Sequence, residues 1–322
     1  MFTHKDIETK TIFVVNCIKE RNLRVCNGEL LLEEAEEKKT LTKLPFQKIL
    51  ALFVVGNITV TTPLLDKCKK NNVALIVVNA SLRPVFFWSN SAEANFLLRQ
   101  KQFAFQKDNL SIAKLIVANK VKNQMRLLEK TRQKSDLVEN GKQQCVEALS
   151  LIPDVLDYNT LLGLEGRVAK AFFSAYYHQL GWTSRKPRAK TDALNATLDI
   201  GYTILFNFVE CFARMFGFDV YVGVYHRLWF KRKSLICDLM EPFRCIIDHQ
   251  VRIAFNRKQC SASDFDVVKN EYRLKFEKNA DYCRLFFDAL MPHKTEVFLY
   301  VRDYYRCFMR GKSIECYPEF IV

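Results

Sequence analysis

The 322-residue sequence lacks three features that would each define a class of protein. It has no Cys-x-x-Cys pair, and its eleven cysteines are scattered and odd in number, which excludes a zinc knuckle and a disulfide framework. The N-terminal stretch MFTHKDIETK contains no apolar segment of the kind found in a signal peptide. The apolar residues 49–60 are interrupted by Gly56 and Asn57 and are too few to span a bilayer. These absences predict a soluble cytoplasmic protein with no membrane segment.

Acidic residues are also fewer than basic residues. The chain has 49 Lys and Arg against 35 Asp and Glu, a formal net charge of +14. Apolar residues make up 49% of the chain, which excludes a mainly disordered protein. A basic surplus of this size favours a polyanionic partner, above all nucleic acid, although it can also serve solubility alone.

The chain changes character near residue 90. Before that point, short β-rich runs are separated by Gly, Asn, Pro and Ser, and Asn27-Gly28 is a hairpin signal. One helix is expected there, capped by Thr62 with Pro63 in its first turn. The predicted strands are residues 11–16, 22–32, 49–55, 58–60, 73–78 and 84–88, and the main predicted helices are residues 96–105, 112–128, 162–180, 193–216 and 263–289. We therefore predict an α+β protein with a small β-rich N-terminal domain (1–90) and a larger all-α C-terminal domain (91–322).

Basic residues are densest in residues 91–135, which contain ten Lys and Arg against three acids. Their spacing is typical of a solvated helix face, which could follow a phosphate backbone or could only keep the helix soluble. The predicted DNA contacts are Arg99, Lys101, Lys120 and Arg126 from this segment, together with Arg167 and Arg188.

Three other segments place polar residues where a helical core would not need them. Glu165 lies in the apolar run LLGLEGRVAKAFF, either as a charge at a helix N-terminus or as a carboxylate in a pocket. His226 lies in GVYHR near an expected strand end, where it is either a packing residue or a ligand. In SLICDLMEPFRCIID, Asp238 and Glu241 fall on one helix face, although Pro242 blurs that face. Two acids facing one way repel each other unless a cation or an arginine such as Arg244 lies between them.

Together, these acids and the histidine can form an incomplete, oxygen-rich shell for a divalent ion. Carboxylate oxygens suit Mg²⁺ or Mn²⁺, and the imidazole tilts the preference towards Mn²⁺. Open coordination positions would accept a phosphate oxygen and a nucleophile, which is phosphodiester chemistry.

The ordered runs LLGLEGRVAKAFF, RKPRAKTDALNATLDIGYTIL and GVYHR…SLICDLMEPFR resemble the CRISPR-associated spacer-acquisition integrase family, the universal metal-dependent subunit of CRISPR adaptation. The N-terminal run LPFQKILALFVVGNITVTTPLLDKCKKNNVALIVVN is similar to the β-domain of that family. Cys245 departs from the family pattern, which often has proline there, but every ligand position is kept.

The resemblance implies a role for each matching residue. Glu165, His226 and Glu241 match the three metal ligands and would be the catalytic residues. Four further residues would support the site: Asp238 as a neighbouring acid, Arg244 as an orienter of Glu241, and Asn195 and Tyr202 from the segment that packs beside it.

The implied reaction is DNA integration in a prokaryotic cell. The 3′-hydroxyl of a short captured double-stranded DNA attacks a phosphodiester at the edge of a CRISPR repeat, with Mg²⁺ or Mn²⁺ as cofactor and with endonuclease and disintegration activity as side reactions. Implied partners are a second copy of the chain, paired through the N-terminal domains, and a small second adaptation subunit.

Two alternatives from other classes stay open. A non-catalytic DNA-binding scaffold would use its acids only to pair with Arg244, Arg167 and Lys170. A transposon-type integrase of the same superfamily would act on terminal inverted repeats instead. A metal nuclease for structured DNA is a weaker possibility.

Overall fold

The structure is a computed structural model that describes residues 4–17, 21–37, 39–80, 82, 84–89, 95–104, 109–132 and 135–322. Strands dominate up to residue 88 and helices from residue 96 onward, which confirms the predicted α+β class. The predicted domain boundary at 90/91 lies outside the described residues and stays a prediction.

The β-rich part contains two sheets. Its elements are α1 (His4–Thr9), β1 (Thr11–Cys17), β2 (Arg21–Cys26), β3 (Glu29–Glu34), β4 (Thr40–Pro45), β5 (Ile49–Gly56), α2 (Thr62–Lys70), β6 (Ala74–Val78) and β7 (Pro84–Trp88). One sheet has the order β1-β5-β6-β7, in which β5 pairs in parallel with β1 and β6, and β7 is antiparallel to β6. The other is the antiparallel sheet β2-β3-β4.

Local signals predicted most of these elements. Asn27 and Gly28 form the hairpin turn between β2 and β3, with φ of 49° and 80°, values that Asn and Gly tolerate best. The predicted strand at residues 58–60 is wrong, because that segment is irregular chain with no strand partner in the described residues. The sequence patterns do not predict α1 or β4. The predicted cap of α2 is wrong by one residue, because Thr61 is the N-cap and Thr62 is the first helical residue.

Strand β5 joins the two parts of the molecule because both of its faces are buried. Leu52 and Val54 belong to the apolar cluster shared with α2 and the three-stranded sheet. Phe53 and its neighbours on the opposite face belong to the core of the helical part, where the ring of Phe53 lies 4.9 Å from that of Phe287.

Nine helices of the described residues follow the sheets. They are α3 (Phe96–Ala104), α4 (Leu110–Glu129), α5 (Asp136–Leu151), α6 (Tyr158–Tyr176), α7 (Ala193–Met215), α8 (Ser234–Met240), α9 (Arg244–Asn256), α10 (Asn279–Leu290) and α11 (Lys294–Arg310). A hairpin of β8 (Phe265–Val268) and β9 (Glu271–Leu274) precedes α10. The predicted helix over residues 263–289 is therefore wrong in its first half, and the C-terminal part is not strictly all-α.

Helix α7 is the centre of the helical core. By length and composition alone it could cross a membrane, but 78% of its most apolar window is buried inside the protein. Helix α7 is therefore a longer apolar segment than the apolar residues 49–60. It is buried in the way that a core helix is buried. The aromatic residues of α11 also pack inward, since Tyr300 and Tyr304 are buried, as core packing of that segment predicts.

Candidate active site

Glu165 lies inside α6 rather than at its end. Asp157 caps the helix, and its Oδ1 accepts hydrogen bonds from the backbone N–H groups of Asn159 (2.8 Å) and Thr160 (3.0 Å). Because the helix begins at Tyr158, Glu165 is beyond its first turn, so the interpretation of this carboxylate as a helix-end charge is wrong. The side chain of Glu165 is 13% exposed.

The two oxygens of Glu165 have different partners. Oε1 contacts the ammonium group of Lys120, and Oε2 accepts a hydrogen bond from the hydroxyl of Tyr225. Burial and the neighbouring Glu165 raise the pKa of Tyr225, so this phenol stays protonated and remains a donor. Glu165 is therefore held in one orientation by its neighbours.

His226 is oriented by Asp238, which is buried on α8. One oxygen of Asp238, Oδ2, accepts hydrogen bonds from the backbone N–H groups of Val224 (2.6 Å) and Tyr225 (3.0 Å). The other oxygen, Oδ1, accepts from the N–H of His226 (2.9 Å) and lies 2.6 Å from its Nδ1. A carboxylate at Nδ1 leaves the Nε2 lone pair of the imidazole available as a ligand.

The turn before His226 leaves no room for a side chain at Gly223. A Cβ there would lie 2.6 Å from Oδ2 of Asp238 and 2.8 Å from the carbonyl carbon of Ser234. Residues 219–233 form turns and irregular chain, so the strand expected near His226 is absent from this described segment. The close approach of backbone and carboxylate is what places the imidazole.

Glu241 lies at a break between two helices. Helix α8 ends at Met240, the residues Glu241–Phe243 form a 3-10 turn that contains Pro242, and α9 begins at Arg244. Asp238 and Glu241 therefore do not lie on one continuous helix face. The helix is broken at Pro242, as the proline predicted. Glu241 is 2% exposed.

The charge of Glu241 is balanced by two cations. Its Oε2 lies 2.8 Å from Nε of Arg244 and 2.7 Å from Nζ of Lys120. Burial alone would raise the pKa of Glu241, but Arg244, Lys120 and His226 lower it below its ordinary value. Glu241 is therefore ionised in the folded protein, and Arg244 orients it as predicted.

Lys120 connects the two site carboxylates. It lies on α4 and is 9% exposed, and its ammonium group contacts both Glu165 and Glu241. Burial would lower the pKa of Lys120, but the two carboxylates raise it above its ordinary value. The interpretation of Lys120 as part of a solvated helix face is wrong, because its charge is used inside the protein; its contact with DNA stays a prediction.

This arrangement fits a divalent cation in its donor chemistry. An ammonium between two carboxylates marks the position where a positive charge is stabilised, and Nε2 of His226 is a further donor. Lys120 and Arg244 both contact Oε2 of Glu241, so positive charge already gathers at this oxygen. Within the described ranges, no three His, Cys, Asp or Glu side chains converge as a formed metal shell.

Tyr202 and Asn195 lie on α7 and contact arginines at or near the site. The ring of Tyr202 lies 4.5 Å below the guanidinium of Arg244, and its hydroxyl donates a hydrogen bond to Oδ1 of Asp248. Asn195 Oδ1 accepts hydrogen bonds from Nη1 of Arg185 (2.8 Å) and from the backbone N–H of Lys186 (3.0 Å). Tyr202 thus supports Arg244, and Asn195 fixes the segment before α7.

Asn123 is a supporting residue that the sequence reading missed. Its Nδ2 donates to the carbonyl oxygens of Pro242 and Phe320, each at 3.0 Å, and thereby ties the turn after Glu241 to the C-terminal segment. The signal was available, because the core helix α4 carries the polar run Asn119, Lys120, Asn123 and Gln124 on its buried side. Polar side chains at core positions need partners, and here the partners are at the site.

The other predicted DNA contacts lie apart from this cluster of ion pairs. Arg99 and Arg188 are exposed, and Arg126 is half-buried. The remaining two have protein partners: Nζ of Lys101 donates to the carbonyl of Met309 (3.0 Å), and Arg167 pairs with Glu147 (3.1 Å). Contact of these five residues with DNA stays a prediction.

Fold and site together define a class of protein. It is an α+β chain in which a β-rich part precedes a helical part, and the helical part holds one buried and one half-buried carboxylate and a carboxylate-oriented imidazole. The model of the family described as CRISPR associated protein Cas1 matches residues 17–287, and the chain belongs to that family. It is accordingly a nuclease and integrase of the Cas1 type.

Curated relatives agree with this assignment. A CRISPR-associated endonuclease Cas1 of Thermodesulfovibrio yellowstonii is 26% identical over 266 residues, which cover 79% of this chain and 82% of the relative. The CRISPR-associated endonuclease Cas1 of Leptospira interrogans is 34% identical over 191 residues, which cover 52% of this chain and 73% of the relative.

Solved structures show the same fold. A casposase bound to integration product superposes with a TM-score of 0.76 at 18% identity, covering 96% of this chain and 94% of that chain. A Cas1 protein from Thermotoga maritima gives a TM-score of 0.75 at 17% identity, covering 93% and 98%. A Cas6-RT-Cas1--Cas2 complex gives 0.77 at 17% identity and covers 97% of this chain but 36% of the longer chain in that complex.

Proposed function

We propose that this protein joins the 3′-hydroxyl ends of short captured double-stranded DNA to a CRISPR repeat by metal-dependent transesterification. The observation that carries the proposal is the pair of carboxylates, half-buried Glu165 and buried Glu241, that share one cation beside a carboxylate-oriented imidazole. Buried acids of this kind are costly unless a positive charge lies between them, and a phosphodiester reaction uses such a charge.

Glu165, Glu241 and Nε2 of His226 would hold the divalent ion, Mg²⁺ or Mn²⁺. When bound, the ion supplies positive charge that stabilises the phosphate and favours loss of the proton from the attacking hydroxyl. The donors are hard oxygens with a single nitrogen, a set that suits either of these ions.

The surrounding residues keep the ligands in place. Asp238 holds the imidazole through Nδ1, which leaves Nε2 free of that carboxylate and available as a ligand. The Tyr225 hydroxyl orients Glu165, and Arg244 orients Glu241. Lys120 lies between the two acids and balances their charge. Together with Arg244 it keeps the pKa of Glu241 below its ordinary value.

DNA and a second adaptation subunit are the proposed partners. Structural neighbours include a casposase bound to integration product and a Cas6-RT-Cas1--Cas2 complex, and the basic surplus of this chain supports a DNA partner here. Integration of both strands needs two active sites, so we also propose a homodimer paired through the β-rich part. Val85 and Phe86 on the edge strand β7 are 69% and 44% exposed, which supports that surface. A cytoplasmic location belongs to the same proposal.

The test uses the purified full-length chain with Mn²⁺ or Mg²⁺, a labelled short duplex and a supercoiled plasmid that carries CRISPR repeats. We expect label to join the plasmid, and we expect EDTA or dideoxy 3′ ends on the duplex to abolish joining. Joining that survives dideoxy ends would contradict attack by the 3′-hydroxyl. If the chain alone joins no label to the plasmid, the small adaptation subunit is added. No joining with that subunit present, together with no Mn²⁺ binding, would contradict the proposal and favour a non-catalytic DNA-binding scaffold.

A transposon-type integrase is the second candidate, because the casposase superposes over 96% of this chain. The two functions differ in the DNA ends that they use. Joining that requires terminal inverted repeats on the donor, and that ignores CRISPR repeats in the plasmid, would favour the transposon-type reaction.

A further inference from the structure

The segment that follows His226 exposes three large apolar side chains in a row. Residues 227–233, named here the aromatic loop, read Arg-Leu-Trp-Phe-Lys-Arg-Lys. Leu228, Trp229 and Phe230 are 51%, 76% and 83% exposed. Adjacent apolar side chains held in water are unfavourable and mark an interaction site more often than a fold requirement.

The base of the aromatic loop is fixed while its tip is exposed. Ser234 donates a hydrogen bond from Oγ to the carbonyl of Arg227 (3.0 Å), which closes the loop. Lys233 pairs through Nζ with both oxygens of Glu210, each at 2.7 Å. At the tip, the N–H of Arg232 donates to the carbonyl of Trp229 (2.9 Å). The loop is therefore a formed turn that presents its rings outward.

The tip must lie close to the reacting phosphate. Trp229 is three residues from His226, and three residues of extended chain reach at most about 11 Å. Since successive bases on a strand are about 3.4 Å apart, the backbone of Trp229 lies within about three base steps of the backbone of His226, which places the loop beside DNA bound at that histidine.

The charge of the loop identifies the partner. Its four cationic residues are accompanied by no acid, and Nζ of Lys231 lies 5.0 Å from the centre of the Phe230 ring. Lysine is depleted in protein–protein contacts, whereas aromatic rings flanked by cations are the usual surface for stacked nucleic-acid bases.

We propose that the aromatic loop inserts Trp229 and Phe230 between bases of the target DNA beside the joining site. Insertion of apolar side chains at a base step partly unstacks and kinks a duplex. The kink would turn the target phosphate towards the site formed by Glu165, His226 and Glu241. This inference rests on the proposed integrase function, since it assigns the loop to the target of that reaction.

The test uses a branched DNA in which the donor strand is already joined to the target, so that the reverse reaction releases it. Two versions are compared, with the target bases beside the junction either paired or mismatched. The proteins are wild type, the double variant Trp229→Ala/Phe230→Ala, the conservative Trp229→Phe, and Phe276→Ala as a control ring with 62% exposure. Permanganate reactivity of thymines beside the junction, measured in EDTA, reports base unstacking without turnover.

We expect the double variant to release the donor from the paired branch at least about fivefold more slowly than wild type, the lower limit for loss of one stacked base. On the mismatched branch it should act at the wild-type rate, because the bases are already unstacked. Wild type and Trp229→Phe should increase thymine reactivity, the double variant should not, and Phe276→Ala should behave as wild type.

Equal rates and equal thymine reactivity for wild type and the double variant would overturn the inference. So would a double variant that keeps both DNA readouts but no longer binds the small adaptation subunit, because the loop would then be a protein contact. Failure of the proposed function has a different result: wild type would release no donor from either branch in any metal.

Discussion

Replacing Lys120 by methionine removes the cation shared by the two site carboxylates while keeping an unbranched apolar side chain in place of the lysine stem. The side chains of Lys120, Glu165 and Glu241 are 11%, 13% and 2% exposed, so solvent screens their charges little. The variant should therefore be strongly destabilised unless another cation takes the place of the ammonium.

The size of the effect follows from the contacts. Two carboxylates on one ammonium are separated by about 5 Å, and like charges at that distance repel by about 3 kcal/mol at an effective dielectric constant of about 20. The alternative is protonation of one glutamate, which at pH 7 also costs about 3–4 kcal/mol from an ordinary pKa. We expect Lys120→Met to lower the free energy of unfolding by about 3 kcal/mol, within the range for breaking a buried ion pair.

The assay is urea or thermal unfolding of the purified variants, first with EDTA and then with saturating Mn²⁺. The matched control is Lys122→Met, since Lys122 lies on the same helix and pairs at 2.7 Å with Glu319, but these side chains are 43% and 38% exposed. That exposed pair should contribute less than about 1 kcal/mol. Mn²⁺ should restore Lys120→Met more than it stabilises wild type, because the ion replaces the missing charge.

Two results would refute this reasoning. If Lys120→Met were as stable in EDTA as Lys122→Met, the ammonium would not be what holds the carboxylates together. If Mn²⁺ stabilised both variants equally, the ion would bind elsewhere than between Glu165 and Glu241.

The other predictions concern the supports of the site. Gly223→Ala should abolish DNA joining, because its Cβ would lie 2.6 Å from Oδ2 of Asp238. The control Gly163→Ala has no atom within 4 Å of the added Cβ, so it should keep joining and gain about 0.5–1 kcal/mol of helix stability. Joining assays and unfolding measurements check both variants. Asp238→Asn should weaken Mn²⁺ binding about 10- to 100-fold in calorimetry, since the amide cannot accept all the bonds that orient His226; unchanged affinity would contradict the orienting role. Burial raises the pKa of Asp248 to about 6, so near pH 5 the folded state binds a proton that the unfolded state does not. The free energy of unfolding of wild type should therefore fall as pH rises from about 4 to about 6, and Asp248→Asn should remove that slope in urea titrations. An unaltered slope in Asp248→Asn would contradict the assignment to this residue.

Much of the fold could be predicted because its signals are local. The hairpin at Asn27-Gly28 is indicated by its turn residues, strand β5 by its short length and its closing glycine, and helix α7 by its long apolar pattern. The sequence does not reveal the hairpin of β8 and β9, because its eight strand residues interrupt a helical pattern and only Phe265 among them is buried. Short exposed strands depend on pairing, which periodicity does not report.

The acids and the histidine of the candidate site could be predicted from the sequence, but the cation between the acids, Lys120, could not. Glu165, His226 and Glu241 were identified by resemblance, and the structure places Glu165 and Glu241 on one ammonium. Lys120 was misinterpreted because lysines spaced along a helix are usually solvated, and only the tertiary contact of α4 with α6 and the turn at Glu241 shows otherwise. The aromatic loop gave no local signal, because exposure of its rings is a property of the folded chain.

The most direct test of the central claim is metal-dependent joining by Glu165→Gln and Glu241→Gln beside Glu147→Gln. Glu147 is a 44% exposed glutamate that pairs with Arg167, so its variant controls for loss of one negative charge. All three proteins should fold and bind DNA. We predict that the two site variants join no DNA in Mn²⁺ or Mg²⁺ and that Glu147→Gln joins it as wild type does. Metal-dependent joining that persists in both site variants would contradict the assignment of Glu165 and Glu241 to the catalytic metal site.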